Sequence, residues 1–537
     1  MRILRRSTIL SIALGLFVTV QGTAVLRAES CTALAHLNLP DTTITHAALV
    51  TSGSVLMPYD TRPLTHLPPF CRVQGVLKPS TDSDIHFEVW LPVTKNWNGN
   101  FLGIGNGGFA GFIGMGGHAG YEELQSNLMR GYATAGSDSG HTGLPTDASW
   151  AYHHPEKVAD FGWRALHLTT LRAKQIIHAY YGKPAHYAYF DSCSDGGREA
   201  LMEAQRFPSD YNGILAGAPA AYWTHMLAGG LSETQAMMEN PAAFIPMLKL
   251  PAIEHASLAA CDAQDGVKDG IISDPQSCHF NPDVLLCKAK DSNSCLTAPQ
   301  LATLKLMYKG GVNDEGKVIT PGFLPGDEIG WGAWDIGPDP GASYGAQYLN
   351  NYFRYMVTQN PRWNPLTADV DASLRDAQRV TGRELNATNP NLSKFESLGG
   401  KLILYHGWND QAISPWNTIH YYHAVQHTMG VAKTASFVRL YMVPGMEHCV
   451  GGPGANDFGQ MGMPTLPGAK HNAFHALVDW VQKGQVPGEL IATKFAKGPD
   501  GKQKPAMTRP LCPYPMVLKY NGSGDTNKAS SFSCVEP

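Results

Sequence analysis

Apolar positions along the chain fall into short continuous runs separated by stretches with helical spacing. Asn98 to Ile104 reads as a strand ending in Gly105-Asn106-Gly107-Gly108, and Tyr132 to Gly136 as a second that runs into Ser137-Asp138. Asp160 to Tyr181 places Phe161, Leu166, Leu168, Leu171, Ile176 and Ile177 at intervals that predict a helix. Further strands are predicted at His186 to Phe190, Gly213 to Ala216, Lys401 to His406 and Phe437 to Val443. The helices between and after them are predicted at Arg198 to Gln205, Pro415 to Met429 and Ala473 to Lys483. Short apolar strands interleaved with helices imply an α/β fold with a mostly parallel sheet covered on both faces. No internal repeat is visible. Residues 222–398 break the rhythm with clustered Asp, Gly and aromatic residues, and strands resume afterwards. That order predicts a sheet domain made of two segments, 25–221 and 399–537, with 222–398 inserted as a lid.

Composition narrows the class. Charged residues are 16% of 537, against roughly 25% in an average soluble protein. A net charge of −4 gives no reason to expect a nucleic-acid partner. The ten cysteines are an even count in a loop-rich chain, which suggests an oxidising compartment. Arg2, Arg5 and Arg6 precede an apolar run from Thr8 to Val20, followed by small residues at Gly22 and Ala24. This reads as a signal peptide over residues 1–24, with a second possible cleavage after Ala28. The alternative is an N-terminal membrane anchor, but the run is short for a span. The expected location is secreted or periplasmic, with no membrane contact after processing.

The chemistry concentrates at Ser192-Cys193-Ser194-Asp195-Gly196-Gly197, between a strand and a helix. A tight turn there would expose the Ser194 hydroxyl at the top of the sheet, as a nucleophile elbow requires. The Asp195 N–H at the following helix N-terminus could stabilise an oxyanion. Alone, such a serine is an ordinary turn residue; two later segments change its standing. Asp410 follows one strand in Gly407-Trp408-Asn409-Asp410, and His448 follows another in Pro444-Gly445-Met446-Glu447-His448-Cys449. The order Ser194, Asp410, His448 is that of α/β-hydrolases, in which histidine activates serine and aspartate orients the histidine. Cys193 directly precedes the serine and Cys449 directly follows the histidine. A disulfide between them would tie the two loops together.

These segments resemble the tannase/feruloyl esterase family of serine hydrolases. The resemblance is carried by Cys193-Ser194-x-Gly196-Gly197, Tyr405-His406-Gly407-Trp408-x-Asp410 and Gly445-x-x-His448-Cys449. It implies an α/β-hydrolase fold with an inserted lid, serine carboxylesterase activity, and an oxyanion hole from Asp195 and from Gly107 or Gly108. Ser192 departs from the glycine common before the Cys-Ser pair. A further family mark is Cys261-Asp262-x-x-Asp265-Gly266-Val267-x-Asp269-Gly270-Ile271, closed by Cys278. Three carboxylates among turn-forming glycines suit a hard cation such as calcium; composition alone would leave an Asp/Gly turn. The resemblance implies structural Ca2+ held by Asp262, Asp265, Asp269 and the carbonyls of Val267 and Ile271, with no organic cofactor.

Sequence alone does not choose among the cysteine pairings, although proximity suggests Cys261–Cys278 and Cys287–Cys295. The resemblance supports these and adds Cys193–Cys449, Cys31–Cys71 and Cys512–Cys534. It also implies a small aromatic ester as substrate, of the feruloyl or galloyl type. Phe353, Trp334, Trp408 and Ile413 are the candidate contacts. Some relatives cleave mono(2-hydroxyethyl) terephthalate, and the position of their carboxylate-binding arginine falls on Leu349. A neutral or phenolic aromatic ester is therefore favoured over a terephthalate monoester. The rival of another class is a non-catalytic, calcium-stabilised binding protein on the same fold.

Overall fold

Nine strands form the central sheet: β1 (Thr42–Val50), β2 (Phe70–Leu77), β3 (Ile85–Pro92), β4 (Phe101–Ile104), β5 (Ala133–Ser137), β6 (Ala188–Cys193), β7 (Gly213–Gly217), β8 (Lys401–Gly407) and β9 (Val438–Val443). Their spatial order is β1-β2-β3-β5-β4-β6-β7-β8-β9. Pairing is antiparallel from β1 to β5 and parallel from β5 to β9. This computed structural model describes residues 30–58, 61–115, 117–498 and 501–537. The predicted signal peptide, residues 1–24, lies outside the described residues.

Alternation along the parallel strands builds two cores. Phe101, Phe190, Ile214, Leu402 and Leu404 face one side, where they meet helices α1 (Ala165–Tyr181), α2 (Asp195–Arg206) and, after the insertion, α6 (Trp416–Met429). Leu102, Tyr189, Leu215, Ile403 and Tyr405 face the other and pack on Phe474, Leu477 and Trp480 of α7 (Ala473–Lys483). A buried side chain of this size contributes about 1.5–3 kcal/mol, so both faces must be covered for the strands to be stable.

The predicted parallel strands are all present, with shifted ends. The strand expected from Asn98 starts at Phe101, because the Asn98 side chain accepts the Asn100 N–H at 2.9 Å and turns the chain. The helix expected over residues 160–181 is interrupted by a wide π turn, Asp160–Arg164, before α1 begins. The three N-terminal strands β1 to β3 are additional to the prediction. Between β7 and β8 the chain adds no strand to the sheet and forms α3 (Trp223–Glu239), α4 (Leu250–Cys261) and α5 (Tyr344–Asn351), along with further helices such as Ala298–Lys309 and Val370–Val380. This segment has apolar packing of its own around Ile245, Ile253 and Leu304. It docks on the sheet domain where Trp223, Leu349 and Tyr352 meet Phe109 and Phe161.

All ten cysteines are paired, as Cys31–Cys71, Cys193–Cys449, Cys261–Cys278, Cys287–Cys295 and Cys512–Cys534. No described helix is long and apolar enough to cross a membrane.

Candidate active site

Ser194 sits between the end of β6 and the start of α2, with φ 66° and ψ −123°. A non-glycine residue held there stores on the order of 1–3 kcal/mol of strain. Its neighbours enforce the conformation. The Ser194 N–H donates to Gly217 O at 3.0 Å, and its carbonyl accepts from Ala220 at 3.2 Å and Arg198 at 3.1 Å. A Cβ on Gly196 would overlap Ser192 Oγ, and one on Gly197 would overlap Gly217 O, so only glycine lets α2 start this close to the strands.

The two later loops deliver their side chains to the same point. His448 Nε2 lies 2.9 Å from Ser194 Oγ, and His448 Nδ1 lies 2.8 Å from Asp410 Oδ2. With Nδ1–H donating to the carboxylate, Nε2 is free to accept the serine proton. Asp410 Oδ1 accepts the N–H groups of Ala412 and Ile413, both at 2.8 Å. Burial would push the Asp410 carboxyl up, but His448 and His406 beside it outweigh that and hold it well below the usual carboxylate range. It is ionised at neutral pH. His406 went unremarked as a functional residue in the sequence. Its Nε2 lies 3.1 Å from Asp410 Oδ2, and its Nδ1 lies 2.7 Å from the Thr418 hydroxyl. The His448 N–H donates to Gln411 Oε1 at 3.0 Å. Cys193–Cys449 joins the residues that flank the serine and the histidine, with Cα atoms 6.0 Å apart.

Asp195 is the first residue of α2, so its N–H has no partner one turn back and faces the Ser194 end of the helix. Gly107 and Gly108 line the cavity beside Ser194 on the loop after β4. This loop is held from beneath by α2. Glu199 Oε2 accepts the Asn106 N–H at 2.8 Å, and Asn106 O accepts the Gly196 N–H at 2.6 Å. Asn106 Nδ2 donates to Phe112 O at 2.7 Å and Ser137 O at 2.9 Å. Burial, reinforced by Asp195 nearby, pushes the Glu199 carboxyl up to about 8, so near neutral pH it is a neutral acid. Glu199→Gln keeps a neutral acceptor for Asn106 and should leave kcat within a few-fold. Glu199→Ala releases the loop and should lower kcat by roughly 10²-fold, toward the effect of losing an oxyanion donor. Equal losses in the two variants would contradict this role.

The Ser194–His448 pair opens on a cavity of about 380 Å³ between the sheet domain and the insertion. Trp334 and Ile413, two of the candidate contacts, line it together with Tyr348 and Leu349. The Trp334 ring meets His448 edge to face at 5.6 Å. Phe353 and Trp408 do not line it. Phe353 is buried and stacked on Trp363 at 4.9 Å, in the apolar cluster that also holds Leu349, Tyr352 and Met356. Trp408 belongs to the core beneath β8 and borders a separate crevice with Met442, Pro444 and Tyr514.

The acidic loop after α4 lies apart from this cavity. Asp265 accepts the Val267 N–H at 2.9 Å and the Ser273 hydroxyl at 2.6 Å, and Asp262 accepts the N–H groups of Asp269 at 3.2 Å and Gly270 at 3.1 Å. Asp269 Oδ2 pairs with Arg509 at 2.5 Å, while its Oδ1 is buried without a partner.

Comparison with known proteins agrees with this architecture. The family model described as "Tannase and feruloyl esterase" matches residues 71–535. An uncharacterized esterase of Xanthomonas campestris pv. campestris is 40% identical over 542 aligned positions, covering 96% of this chain and 92% of that protein. A probable feruloyl esterase B-2 of Aspergillus flavus is 36% identical over 79% of this chain and 80% of its own length. The crystal structure of feruloyl esterase B from Aspergillus oryzae superposes with a TM-score of 0.85 at 28% identity, covering 94% of this chain and 100% of that one. With a match of this extent on an α/β-hydrolase frame, the chain belongs to the tannase and feruloyl esterase family of carboxylic ester hydrolases.

Proposed function

We propose that this chain hydrolyses esters of aromatic acids, of the hydroxycinnamic or gallic type, through an acyl-enzyme on Ser194. The observation that carries this reading is the hydrogen-bonded relay Ser194–His448–Asp410 at the wall of an aromatic-lined cavity. Ser194 Oγ attacks the ester carbonyl carbon as His448 Nε2 takes its proton. The new oxyanion is held by the Asp195 N–H and the Gly107–Gly108 loop. Collapse breaks the carbon–oxygen bond to the alcohol, which leaves with the proton returned by His448. Water, activated by the same histidine, then attacks the acyl carbonyl and releases the acid. Asp410 holds the imidazole tautomer and the transient imidazolium throughout. The names borne by the relatives, feruloyl esterases, support the aromatic acyl group.

No arginine or lysine is among the described residues that line the cavity, and Leu349 occupies the wall. This favours an uncharged or phenolic ring over a terephthalate monoester, whose carboxylate would find no cation. Hydrolysis of methyl ferulate, methyl gallate, methyl caffeate and mono(2-hydroxyethyl) terephthalate tests the reading. The terephthalate monoester should have the lowest kcat/KM of the four, and a preference for it would overturn the assignment.

The acidic loop is the proposed calcium site. Asp262, Asp265 and Asp269, with the carbonyls of Val267 and Ile271, supply a hard oxygen donor set. The partnerless buried Oδ1 of Asp269 fits a cation, and Arg509 neutralises only that one carboxylate. Bound calcium would supply charge neutralisation and crosslink the loop, not chemistry at the serine. At a hundred times its Kd it adds about 2.7 kcal/mol to stability. Melting in EGTA should therefore occur several degrees below melting in excess calcium, and coincident curves would rule the site out. Signal-directed export fits the five disulfides.

A further inference from the structure

Two acidic side chains of the insertion line the same cavity as Ser194 and His448: Glu233, on α3, and Asp335, which directly follows Trp334. The sequence marks neither, and the mechanism above uses neither. Both are partly accessible, and both line the cavity. Neither carboxyl has a side-chain hydrogen bond or ion pair among the described residues, and Asp335 Oδ2 is buried without any partner. Their surroundings are largely apolar, including Met226, Leu227, Met237 and Leu349. Unpaired polar groups in such a place are costly unless something satisfies them.

We propose that Glu233 and Asp335 form a hydrogen-bonding subsite for phenolic hydroxyl groups on the acyl ring of the substrate. The proposal rests on the esterase reading and deepens it by naming the residues that hold the ring hydroxyls of such an acyl group. Burial pushes the Glu233 carboxyl up to about 8, and burial, with Glu233 and then Asp410 nearby, raises Asp335 well above the usual range. Near neutral pH the pair therefore retains protons instead of carrying two full charges. A pair in that state offers carbonyl acceptors and hydroxyl donors together, which suits a neutral group that both donates and accepts. A phenolic hydroxyl does so; a methoxy oxygen only accepts, and leaves carboxyl oxygens unsatisfied. A carboxylate on the ring only accepts and would find no cation in the cavity wall, and a cationic head would meet acids held mainly neutral. Recognition of this kind discriminates strongly, because the analogue that lacks the donor leaves buried groups unpaired.

The test compares kcat/KM for methyl gallate with methyl 3,4,5-trimethoxybenzoate, and for methyl caffeate with methyl 3,4-dimethoxycinnamate. The hydroxylated ester should be preferred by roughly 10²-fold in each pair. In Glu233→Leu/Asp335→Leu the preference should fall to within a few-fold. Because the readout is a ratio within one protein, general damage to turnover does not imitate the result. Titration calorimetry of Ser194→Ala with the same four esters gives a second reading independent of turnover and of the variant's folding. Affinity there should be higher for the hydroxylated partners. A flat ratio in the wild type, a ratio unchanged in the double variant, or tighter binding of the methoxylated esters would overturn the subsite. Failure of the esterase reading looks different: no ester of any kind would be turned over.

Discussion

Ser194→Ala should lose turnover by about 10⁶-fold in kcat while retaining the fold, the disulfides and the melting temperature. The magnitude follows from the way triad members act as a unit, so that removing the nucleophile forfeits the covalent route entirely. Stability should change little, because the hydroxyl's hydrogen bond to His448 is the only side-chain bond lost among the described residues and the elbow backbone is held by main-chain partners. Alanine at φ 66° inherits the same strain as serine. Circular dichroism and thermal melting check the fold, and steady-state hydrolysis of methyl ferulate checks activity. Residual activity above roughly one per cent of wild type would mean that another group carries the reaction. Retained ester binding by the variant would place the loss in chemistry rather than in substrate affinity.

The second large effect is expected on opening the Cys193–Cys449 bridge. Its sequence separation is 256 residues, so the loop-entropy model assigns it about 5.5 kcal/mol. It also flanks both reacting side chains, and a displacement near 1 Å between them can cost about 10² in rate. Cys193→Ser/Cys449→Ser should therefore melt lower and, at a temperature where circular dichroism reports a folded protein, turn over roughly 10²-fold more slowly. The control is Cys261→Ser/Cys278→Ser, whose bridge spans 17 residues in the insertion. It should lose about 3 kcal/mol of stability or less and little kcat at low temperature. If both variants lose stability alone, the bridge next to the serine is only a staple. If kcat falls specifically in the first, it is part of the positioning of the active site.

The parallel half of the sheet was legible because its strands are buried on both faces and read as continuous apolar runs. The antiparallel half was not. β1 is largely accessible and mixes Thr42, Thr43 and His46 with its apolar residues, which weakens the alternation. β3 carries Glu88 in a buried position, and the sequence does not reveal that Arg72, Gln74 and Trp90 satisfy it. The three residues of the relay could be read because each follows a strand, and topology brings strand ends together. His406 was within reach of the same reasoning, four residues before Asp410. Glu199 and Asn106 were not, since their contact spans two elements. Phe353 shows the limit of helical spacing: it lies four residues from Leu349 and packs in the same apolar cluster, yet only Leu349 reaches the cavity wall. Glu233 and Asp335 are far apart in a segment without periodicity, and only the folded insertion places them in one cavity.

The central claim is that Ser194 is the nucleophile and His448 its base. Labelling with a fluorophosphonate, followed by peptide mapping, tests it most directly, because the reagent reacts with an activated serine whatever the natural ester. One label per chain on the peptide containing Ser194, abolished in His448→Ala, is the predicted result. An unlabelled protein, or a label on any other residue, would contradict it.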